Sequence, residues 1–514
     1  MVIYTLYSLF QGGSLSNLPE RINMIYKNPV ISGFYPDPSV CEANGKYYVV
    51  CSSFQYFPGV PLFESEDLVN FRQIGYVLTR SSQVHLADVP SSGGVFAPTI
   101  RYHNGRFYMV TTNDTTHQNF YVYTDDIYGE WSDPIFIDQG GIDPSLLFDE
   151  GHVYFISNGA DDEGIGGVVQ CEIDIETGRK LTPSKSIWQG SGGRFLESPH
   201  MYHLDGGYYL MAAEGGTEYG HMITYARSDS PWGPFTGYAG NPVLTNRNKA
   251  PYIIQGIGHG DLVRDRYGEY HILSLGFRQI GEWEAYHNLG REVFLTPVYF
   301  DDRGFFTAGR DGTTDEEYEM KGDHVQRPLG EFTFENTDPG IEWCFMRRPE
   351  MDKYELSRNA FVLHGSDVTL DDSGSPTFIA MRQREFDFEL SVNVSLDGEG
   401  LGGVTMYLSE NAHYDIALEE REGARRAVLR LALGGIKHLQ AAVPTEGDVA
   451  LKVKGDRHSY TFYMCDANGE QYLGHGLTKY ISTEADGGFT GVMTGLFAEG
   501  AGAAATFTDF SIKY

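Results

Sequence analysis

The 514-residue sequence predicts an all-β protein, in which a five-bladed β-propeller is followed by a β-sandwich of the jelly-roll or lectin-like type. Two features of the composition favour strands over helices. The chain has 62 glycines, which are typical of turns, and 14% aromatic residues, which are typical of pleated strands. A third observation, a hairpin pattern that recurs in the N-terminal part, indicates the propeller.

The repeated pattern is a proline followed seven residues later by a glycine and then by a pair of aromatic or β-branched residues. Copies start at Pro38, Pro98, Pro144 and Pro199, and a weaker copy starts at Asp261. Each copy predicts a hairpin, because a short strand enters a turn rich in Asn, Asp or Gly and an aromatic strand leaves it. The spacing leaves room for four strands in each unit, which favours propeller blades over a plain sandwich with recurring glycine turns.

Changes in polarity and in the pattern of apolar residues along the chain predict its domains. We expect an N-terminal extension at 1–23, the propeller at 24–310, a polar linker at 311–330 and the sandwich at 331–514. Apolar and polar residues alternate strictly within 386–396, as they do in a half-buried strand. The apolar start of the chain lacks a basic leading segment and a small-residue cleavage site, so we interpret it as an extension rather than a secretion signal.

Charge and cysteine content limit the partners and the compartment. With 38 Lys and Arg against 70 Asp and Glu, the net charge is −32, which repels nucleic acid and anionic membrane surfaces. No apolar run reaches the ~18 residues that a membrane span needs. The five cysteines are scattered and form no CxxC pair, so we expect neither a disulfide framework nor a zinc site, and we expect a cytoplasmic protein. An assembly of identical chains is compatible with the sequence.

Acidic residues stand where the innermost strands of several blades begin. Because those strands run along the propeller axis, their starts should meet at one mouth. The residues there are Asp37 in blade 1, Phe96 and Ala97 in blade 2, Asp143 in blade 3, Glu197 in blade 4 and His259 in blade 5. Carboxyl groups gathered in a partly desolvated site spread their pKa values, which leaves one protonated acid and one ionised base, as glycoside hydrolysis needs. The alternative is that Asp37 and Asp143 are turn residues that bind backbone amides.

Short motifs around these positions resemble the catalytic signatures of glycoside hydrolase family 43. They are Tyr35–Ser39, Gly141–Ser145, Leu196–His200, Ala212–Thr217, Gly258–Asp261 and Leu289–Glu292. The resemblance spans about 28–298 and continues in the sandwich, and the layout is most similar to the β-xylosidases and α-L-arabinofuranosidases of that family.

The resemblance implies a glycosidase that inverts the anomeric centre. Asp37 would be the general base, Glu197 the general acid, and Asp143 the residue that raises the pKa of Glu197 and orients it. The substrates implied are short xylo-oligosaccharides or arabinoxylan fragments, which would lose terminal xylose, arabinose or both. The domain layout adds a further expectation. The sandwich would close one side of the funnel and leave room for a single terminal sugar, which would make the enzyme exo-acting.

Further residues are implied to bind the sugar. Arg291 would contact sugar hydroxyls or Asp143, and Thr217 and Phe54 resemble positions of the first subsite, although Phe54 could equally be a core aromatic residue. Many members of the family have Trp in place of Phe96, next to Ala97, and many xylosidases have an aromatic residue in place of Ile142. These differences leave the choice between xylose and arabinose open.

No cofactor is required by this chemistry. The family places a histidine like His259 near the axis, sometimes beneath a hydrated calcium ion. A water-mediated calcium ion and a hydrogen-bonded structural histidine are both compatible with the sequence, because calcium prefers many oxygen ligands and one histidine supplies none.

Two other function classes fit a five-bladed propeller. Fructan and sucrose hydrolases also join such a propeller to a sandwich, but they retain configuration and carry W-M-N-D-P-N-G and R-D-P motifs, which this sequence lacks. A non-catalytic carbohydrate-binding propeller would not need an acid, a base and a modulating carboxylate at related positions.

Overall fold

The computed structural model describes residues 23–322 and 325–514. Nearly all of the predicted extension therefore lies outside the described residues. Within the described ranges, no helix is both long and apolar enough to span a membrane.

Five four-stranded antiparallel sheets follow one another along the chain, which confirms the predicted five-bladed propeller. The first strand of each blade contacts the first strands of both neighbouring blades, so these five strands surround the axis and blade 5 closes the ring against blade 1. From the axis outward, the strands are Ser39–Ala43, Lys46–Val50, Gly59–Ser65 and Arg72–Leu78 in blade 1; Thr99–His103, Arg106–Asn113, Gln118–Thr124 and Ile135–Ile137 in blade 2; Ile142–Asp149, His152–Ala160, Gly166–Glu172 and Lys185–Trp188 in blade 3; Glu197–Leu204, Gly207–Glu214, Met222–Ser228 and Thr236–Gly237 in blade 4; and Ile254–Arg264, Tyr270–Arg278, Glu292–Phe300 and Phe306–Ala308 in blade 5.

The hairpin turns have the geometry that the repeat predicts. In blade 1, Ala43 pairs with Lys46 across Asn44 and Gly45, whose φ values are +54° and +78°. Two residues with positive φ form a type I′ turn, which matches the twist of the strands and favours Asn-Gly. The inner hairpins of blades 2 to 4 also have two-residue turns.

The C-terminal part is a β-sandwich of two sheets, as predicted. One sheet has the strand order Tyr354–Leu356, Ala360–His364, Ala504–Lys513, Phe388–Asp397, Val449–Gly455, Ser459–Asp466 and Gly469–Leu477, with Glu331–Thr333 beside Ala504–Lys513. The other has the order Ile436–Pro444, Ala424–Leu433, Ala412–Arg421, Gly400–Ser409, Met493–Glu499, Thr377–Arg382, Cys344–Met346 and Tyr56–Phe57. Short helices occupy Met351–Lys353, Thr478–Ile481 and Thr483–Asp486.

The two parts of the chain share secondary structure. Tyr56–Phe57, a strand from within the blade 1 segment, pairs with Cys344–Met346 and so becomes the edge of a sandwich sheet. The propeller is therefore joined to the sandwich by backbone hydrogen bonds as well as by side-chain packing.

The segment predicted as a linker, 311–330, contains a strand. Glu317–Lys321 pairs with Asn23–Lys27, so Asn23, placed in the predicted extension, also belongs to a strand. The physical reason is that Tyr318 and Met320 alternate with charged residues and are buried against the propeller core beside Tyr26. Because the segment is highly charged, its composition alone predicts a linker and does not show this alternation.

Candidate active site

A cavity of about 250 Å³ opens where the innermost strands begin. Every site residue that the sequence analysis singles out lines it: Asp37, Phe54, Phe96, Ala97, Ile142, Asp143, Glu197, Thr217, His259 and Arg291. Five further residues complete the lining: Phe195, Gly216, Glu218, His221 and Phe489. A larger groove of about 990 Å³ lies at the far ends of the inner strands of blades 4 and 5 and contains none of these residues.

A left-handed residue lies near the start of the inner strands of blades 1, 3 and 4 and at a bulge within the inner strand of blade 5. Asp37, Asp143, Ser198 and His259 have φ values of +57°, +53°, +53° and +41°. Such backbone is uncommon for residues other than glycine and occurs often at functional sites. It turns the chain sharply at the mouth of the propeller.

The strand openings of blades 3 and 4 correct the predicted alignment. Ile142 pairs with Asn158 but Ser145 pairs with Ile156, so one extra residue bulges from the strand. The same bulge lies between Glu197 and His200 in blade 4. Ser198 is therefore the structural counterpart of Asp143, and Glu197 is the counterpart of Ile142. The sequence analysis placed Glu197 and Asp143 together at the strand starts, but the structure sets them one residue apart. The prolines of the repeat agree, since Asp143 stands one residue before Pro144 and Glu197 two residues before Pro199.

Asp37 is buried and receives hydrogen bonds that favour its ionised form. Ser52 Oγ donates to Oδ2 over 2.5 Å, and Arg291 Nη1 donates to Oδ1 over 3.1 Å. Burial alone would raise the pKa of Asp37, but Arg291, His259 and Ser52 outweigh it, so the pKa lies below its usual range. Asp37 is therefore an ionised carboxylate at neutral pH.

Glu197 has the opposite protonation behaviour. It is half-buried, and burial together with the negative charge of Asp37 raises its pKa to about 7. The pKa of Asp143 is also raised, by burial, by Glu197 and by Asp37, although the Ser198 N–H donates to Asp143 Oδ2 over 3.0 Å. Since two neighbouring carboxyl groups resist double ionisation, this pair retains a proton near neutral pH.

Arg291 connects the base to the wall of the cavity. Its Nη1 also donates to Thr217 Oγ1 over 2.8 Å. The sequence analysis offered Asp143 as its carboxylate partner, but the ion pair is with Asp37. The reason is that the Tyr35 N–H donates to the Arg291 carbonyl over 3.0 Å, which places the arginine beside the segment that carries Asp37.

Aromatic rings form one side of the cavity. The ring centroids of Phe54 and Phe96 are 5.4 Å apart, and Phe489 lies 6.0 Å from Phe54 at an interplanar angle of 22°. Phe489 belongs to the sandwich, and its N–H donates to Ser92 Oγ of the propeller over 2.8 Å. The sandwich thus closes one side of the site, as expected. Phe54 is both a core residue and a wall residue, so the two interpretations of it are not exclusive.

His221 was missed by the sequence analysis, because no motif contains it. Burial lowers its pKa to about 3, so the ring is neutral. Its Nδ1 lies 3.1 Å from the Gly256 carbonyl oxygen, which fixes the proton on Nδ1 and leaves Nε2 as an acceptor. A Cβ at Gly258 would lie 2.2 Å from Nδ1, so the glycine of the predicted motif is required for this packing. Phe195 and Glu218 lack any repeat signal because they lie on loops.

His259 lies beside two carboxyl groups of the cavity floor. Burial lowers its pKa, and Nδ1 lies 3.5 Å from Asp37 and 3.9 Å from Asp143. Asp261, further along the same strand, is already neutralised by Arg101 at 2.8 Å. Among the residues that the structure describes, no group of three or more His, Cys, Asp or Glu side chains could hold a metal. The choice between a water-mediated calcium ion and a structural histidine at His259 stays a prediction.

Comparison with known proteins now decides the family. The family model for glycosyl hydrolases family 43 matches residues 26–306, which is more than half of the chain. This protein belongs to glycoside hydrolase family 43. The model of the beta xylosidase C-terminal concanavalin A-like domain matches residues 331–513. As a family 43 glycosidase, the protein hydrolyses its substrate with inversion of the anomeric centre.

Several relatives of the family 43 enzyme match both the propeller and the sandwich. The non-reducing end alpha-L-arabinofuranosidase of Bacteroides ovatus is 36% identical over 94% of this chain and 92% of its own length. A xylosidase/arabinosidase of Butyrivibrio fibrisolvens is 33% identical over 95% of this chain and 98% of its own length. A solved structure, the Bacteroides ovatus xyloglucan PUL GH43B, superposes with a TM-score of 0.88 at 35% identity and covers 95% of this chain and 99% of its own.

Proposed function

We propose that the enzyme removes one terminal xylose or arabinofuranose from short xylo-oligosaccharides or arabinoxylan fragments. The observation that carries this proposal is the pairing of an ionised Asp37 with a protonated Glu197 across one small cavity. Two carboxyl groups with separated pKa values are the requirement for acid–base hydrolysis of a glycoside.

Asp37 is the proposed general base. Ser52 and Arg291 hold its two oxygens, which fixes the orientation of the carboxylate. It accepts a proton from a water molecule as the water attacks the anomeric carbon. Inversion follows, because the water approaches the face of the sugar opposite to the leaving group.

Glu197 is the proposed general acid. With its pKa raised to about 7, a substantial fraction is protonated at neutral pH and able to donate to the glycosidic oxygen as that bond breaks. Asp143 accepts a hydrogen bond from the Ser198 N–H, next to Glu197. Because ionisation of either carboxyl group disfavours ionisation of the other, Asp143 and Glu197 together retain a proton. After the reaction, Asp37 holds the proton and Glu197 is ionised, and exchange with solvent restores both.

The size of the cavity supports attack at a chain end. At about 250 Å³ it lies below the usual range of about 300–1,000 Å³ for sites of drug-sized ligands, and Phe489 of the sandwich closes one side. The names of the two relatives above also indicate terminal arabinose or xylose as the released sugar.

A single comparison of substrates tests this function. Aryl β-xyloside and aryl α-arabinofuranoside are incubated with the enzyme, and the anomer first released is followed by proton NMR. We expect hydrolysis of at least one of them with inversion, and loss of both activities in Asp37→Asn. Cleavage of neither, or a product of retained configuration, would contradict the proposal.

We also propose a cytoplasmic location, in which the enzyme would degrade short fragments after their uptake. All five cysteines are free, which suits a reducing compartment. Fractionation of the source cells tests this, since activity confined to the medium would contradict it.

A further inference from the structure

The cavity has a buried floor and an exposed rim, and the rim is asymmetric. Asp37, Asp143, His221, His259 and Arg291 are buried at the floor. On the rim, Phe195 presents a large aromatic side chain that is 59% exposed, although it lines the cavity. A large aromatic side chain exposed at the mouth of a carbohydrate site offers a flat apolar face to a ligand.

Phe195 is held in place rather than left loose. The Arg194 guanidinium stacks on its ring at 5.1 Å, while Arg194 Nη2 pairs with Glu218 Oε2 at 3.0 Å and Nε donates to the Gly215 carbonyl over 3.0 Å. The Gly215 N–H in turn donates to the Arg194 carbonyl over 2.7 Å.

The backbone around the ring is also specialised. Phe195 itself has a φ of +51°, an unfavourable conformation for a bulky residue. Gly216, with a φ of +80°, leaves the space beside the ring, since a Cβ there would lie 3.1 Å from Phe195 Cδ2. The aromatic face of Phe195 is therefore kept at the rim in spite of an unfavourable backbone conformation.

The position of the ring relative to the acid suggests its use. Phe195 stands two residues before Glu197, so their Cα atoms are at most about 7.6 Å apart. The general acid protonates the oxygen that joins the terminal sugar to the rest of the substrate. The rest of the substrate therefore leaves on the side of Glu197, which is the side of Phe195.

We propose that Phe195, fixed by Arg194 and Gly216, is the platform on which the second sugar stacks, and that it determines the preference for oligosaccharides over simple glycosides. This inference rests on the proposed function and adds the leaving-group subsite to it. The exposed Glu218 carboxylate and the Arg194 guanidinium lie beside the ring and can bind hydroxyls at the edge of the same sugar.

The test compares substrates that share the terminal sugar. One is the disaccharide, whose second sugar reaches the platform, and the other is the methyl glycoside, whose leaving group is too small to do so. We expect Phe195→Ala to lower kcat/KM for the disaccharide about tenfold, since an apolar contact of this size is lost, and to change it for the methyl glycoside less than twofold. Phe195→Trp should restore the disaccharide rate, because it keeps a flat aromatic face.

A matched control is Phe136→Ala, which removes another exposed phenylalanine that lies outside the cavity. It should leave both rates unchanged. Equal losses on the two substrates in Phe195→Ala would show that the ring only supports the loop of Glu197, and no loss on the disaccharide would show that the second sugar does not touch it. Either result overturns the inference.

Binding provides an independent arm. In the Glu197→Gln background, calorimetric titration with the disaccharide should give a Kd about tenfold weaker when Phe195→Ala is added, and titration with the monosaccharide should give the same Kd. If the proposed function fails, the native enzyme cleaves neither substrate, and these titrations still decide the role of Phe195. An unchanged disaccharide Kd contradicts it.

Discussion

The openings of the inner strands in blades 3 and 4 share one backbone and differ in which residue carries the carboxyl group. Both contain a bulge, and both place the left-handed residue directly before a proline. In blade 3 that residue is Asp143, which is buried, whereas in blade 4 it is Ser198 and the carboxyl group lies one residue earlier, on the half-buried Glu197. A shift of one residue within a shared bulge thus moves a carboxyl group from the floor toward the rim.

Blade 1 shows that position alone does not determine the protonation state. Asp37 and Asp143 both precede a proline in left-handed backbone and are equally buried. Burial raises the pKa of both groups, but Arg291 faces Asp37 and brings its pKa below the usual range, whereas Glu197 raises the pKa of Asp143 further. The backbone repeat determines where the carboxyl groups lie, and residues from other blades determine which of them is ionised and which is protonated.

The largest expected loss of activity distinguishes the role of Asp37 from that of Asp143. Asp37→Asn should lower kcat by about 10³-fold, whatever the leaving group, because the attacking water loses its base. The measurement is steady-state kinetics on aryl glycosides, with Asp133→Asn as a control at an exposed carboxylate outside the cavity. A loss of less than tenfold would remove Asp37 from the role of base.

A smaller effect should follow from Asp143→Asn. The pKa of Asp143 is raised by burial and by Glu197, so the two carboxyl groups titrate as a coupled pair. Without Asp143 the pKa of Glu197 should fall, and the basic limb of the pH profile should move to lower pH. We expect a decrease in rate on the order of tenfold at neutral pH, since less of the acid is protonated. A basic limb that moves to higher pH would contradict the coupling of these two groups.

The native enzyme should itself show a bell-shaped pH profile. Because Glu197 acts in its protonated form and has a pKa of about 7, kcat/KM should fall as the pH rises through that value. Because Asp37 acts in its ionised form and its pKa is lowered, the acidic limb should lie below the usual range of an aspartate. A rate that still rises above pH 8 would contradict the assignment of the acid.

The smallest effect concerns the residue that blade 4 has in place of Asp143. Ser198→Gly should stabilise the protein by up to about 1 kcal/mol, since the φ of +53° suits glycine and the buried Ser198 hydroxyl has no hydrogen-bond partner. Ser198→Val should destabilise it by about 1–2 kcal/mol, because a β-branched residue is strained in left-handed backbone. Thermal unfolding of both variants measures the difference, and equal melting temperatures would contradict the left-handed backbone at Ser198.

The sequence predicted the propeller, the sandwich and most of the lining of the cavity. The inner hairpins are formed by residues close together in the sequence, and a turn such as Asn44-Gly45 has a recognisable turn sequence, so the repeat could be recognised. The bulge could not, because a proline marks the strand but not the residue that leaves the pairing. Phe195, His221 and Phe489 could not either, since loops from different blades and from the sandwich bring them to the cavity. The ion pair of Arg291 with Asp37 depends on the closure of blade 5 against blade 1, which is a long-range contact.

The most direct test of the assigned acid is the dependence of the rate on the leaving group. A series of aryl glycosides with leaving groups of increasing basicity is hydrolysed by the native enzyme and by Glu197→Gln. If Glu197 donates the proton, the native rates should depend weakly on leaving-group pKa, and the variant should match them on the best leaving group and fall about 10²- to 10⁴-fold below them on the poorest. Parallel dependences for the two enzymes would contradict the assignment of Glu197 as the acid of blade 4.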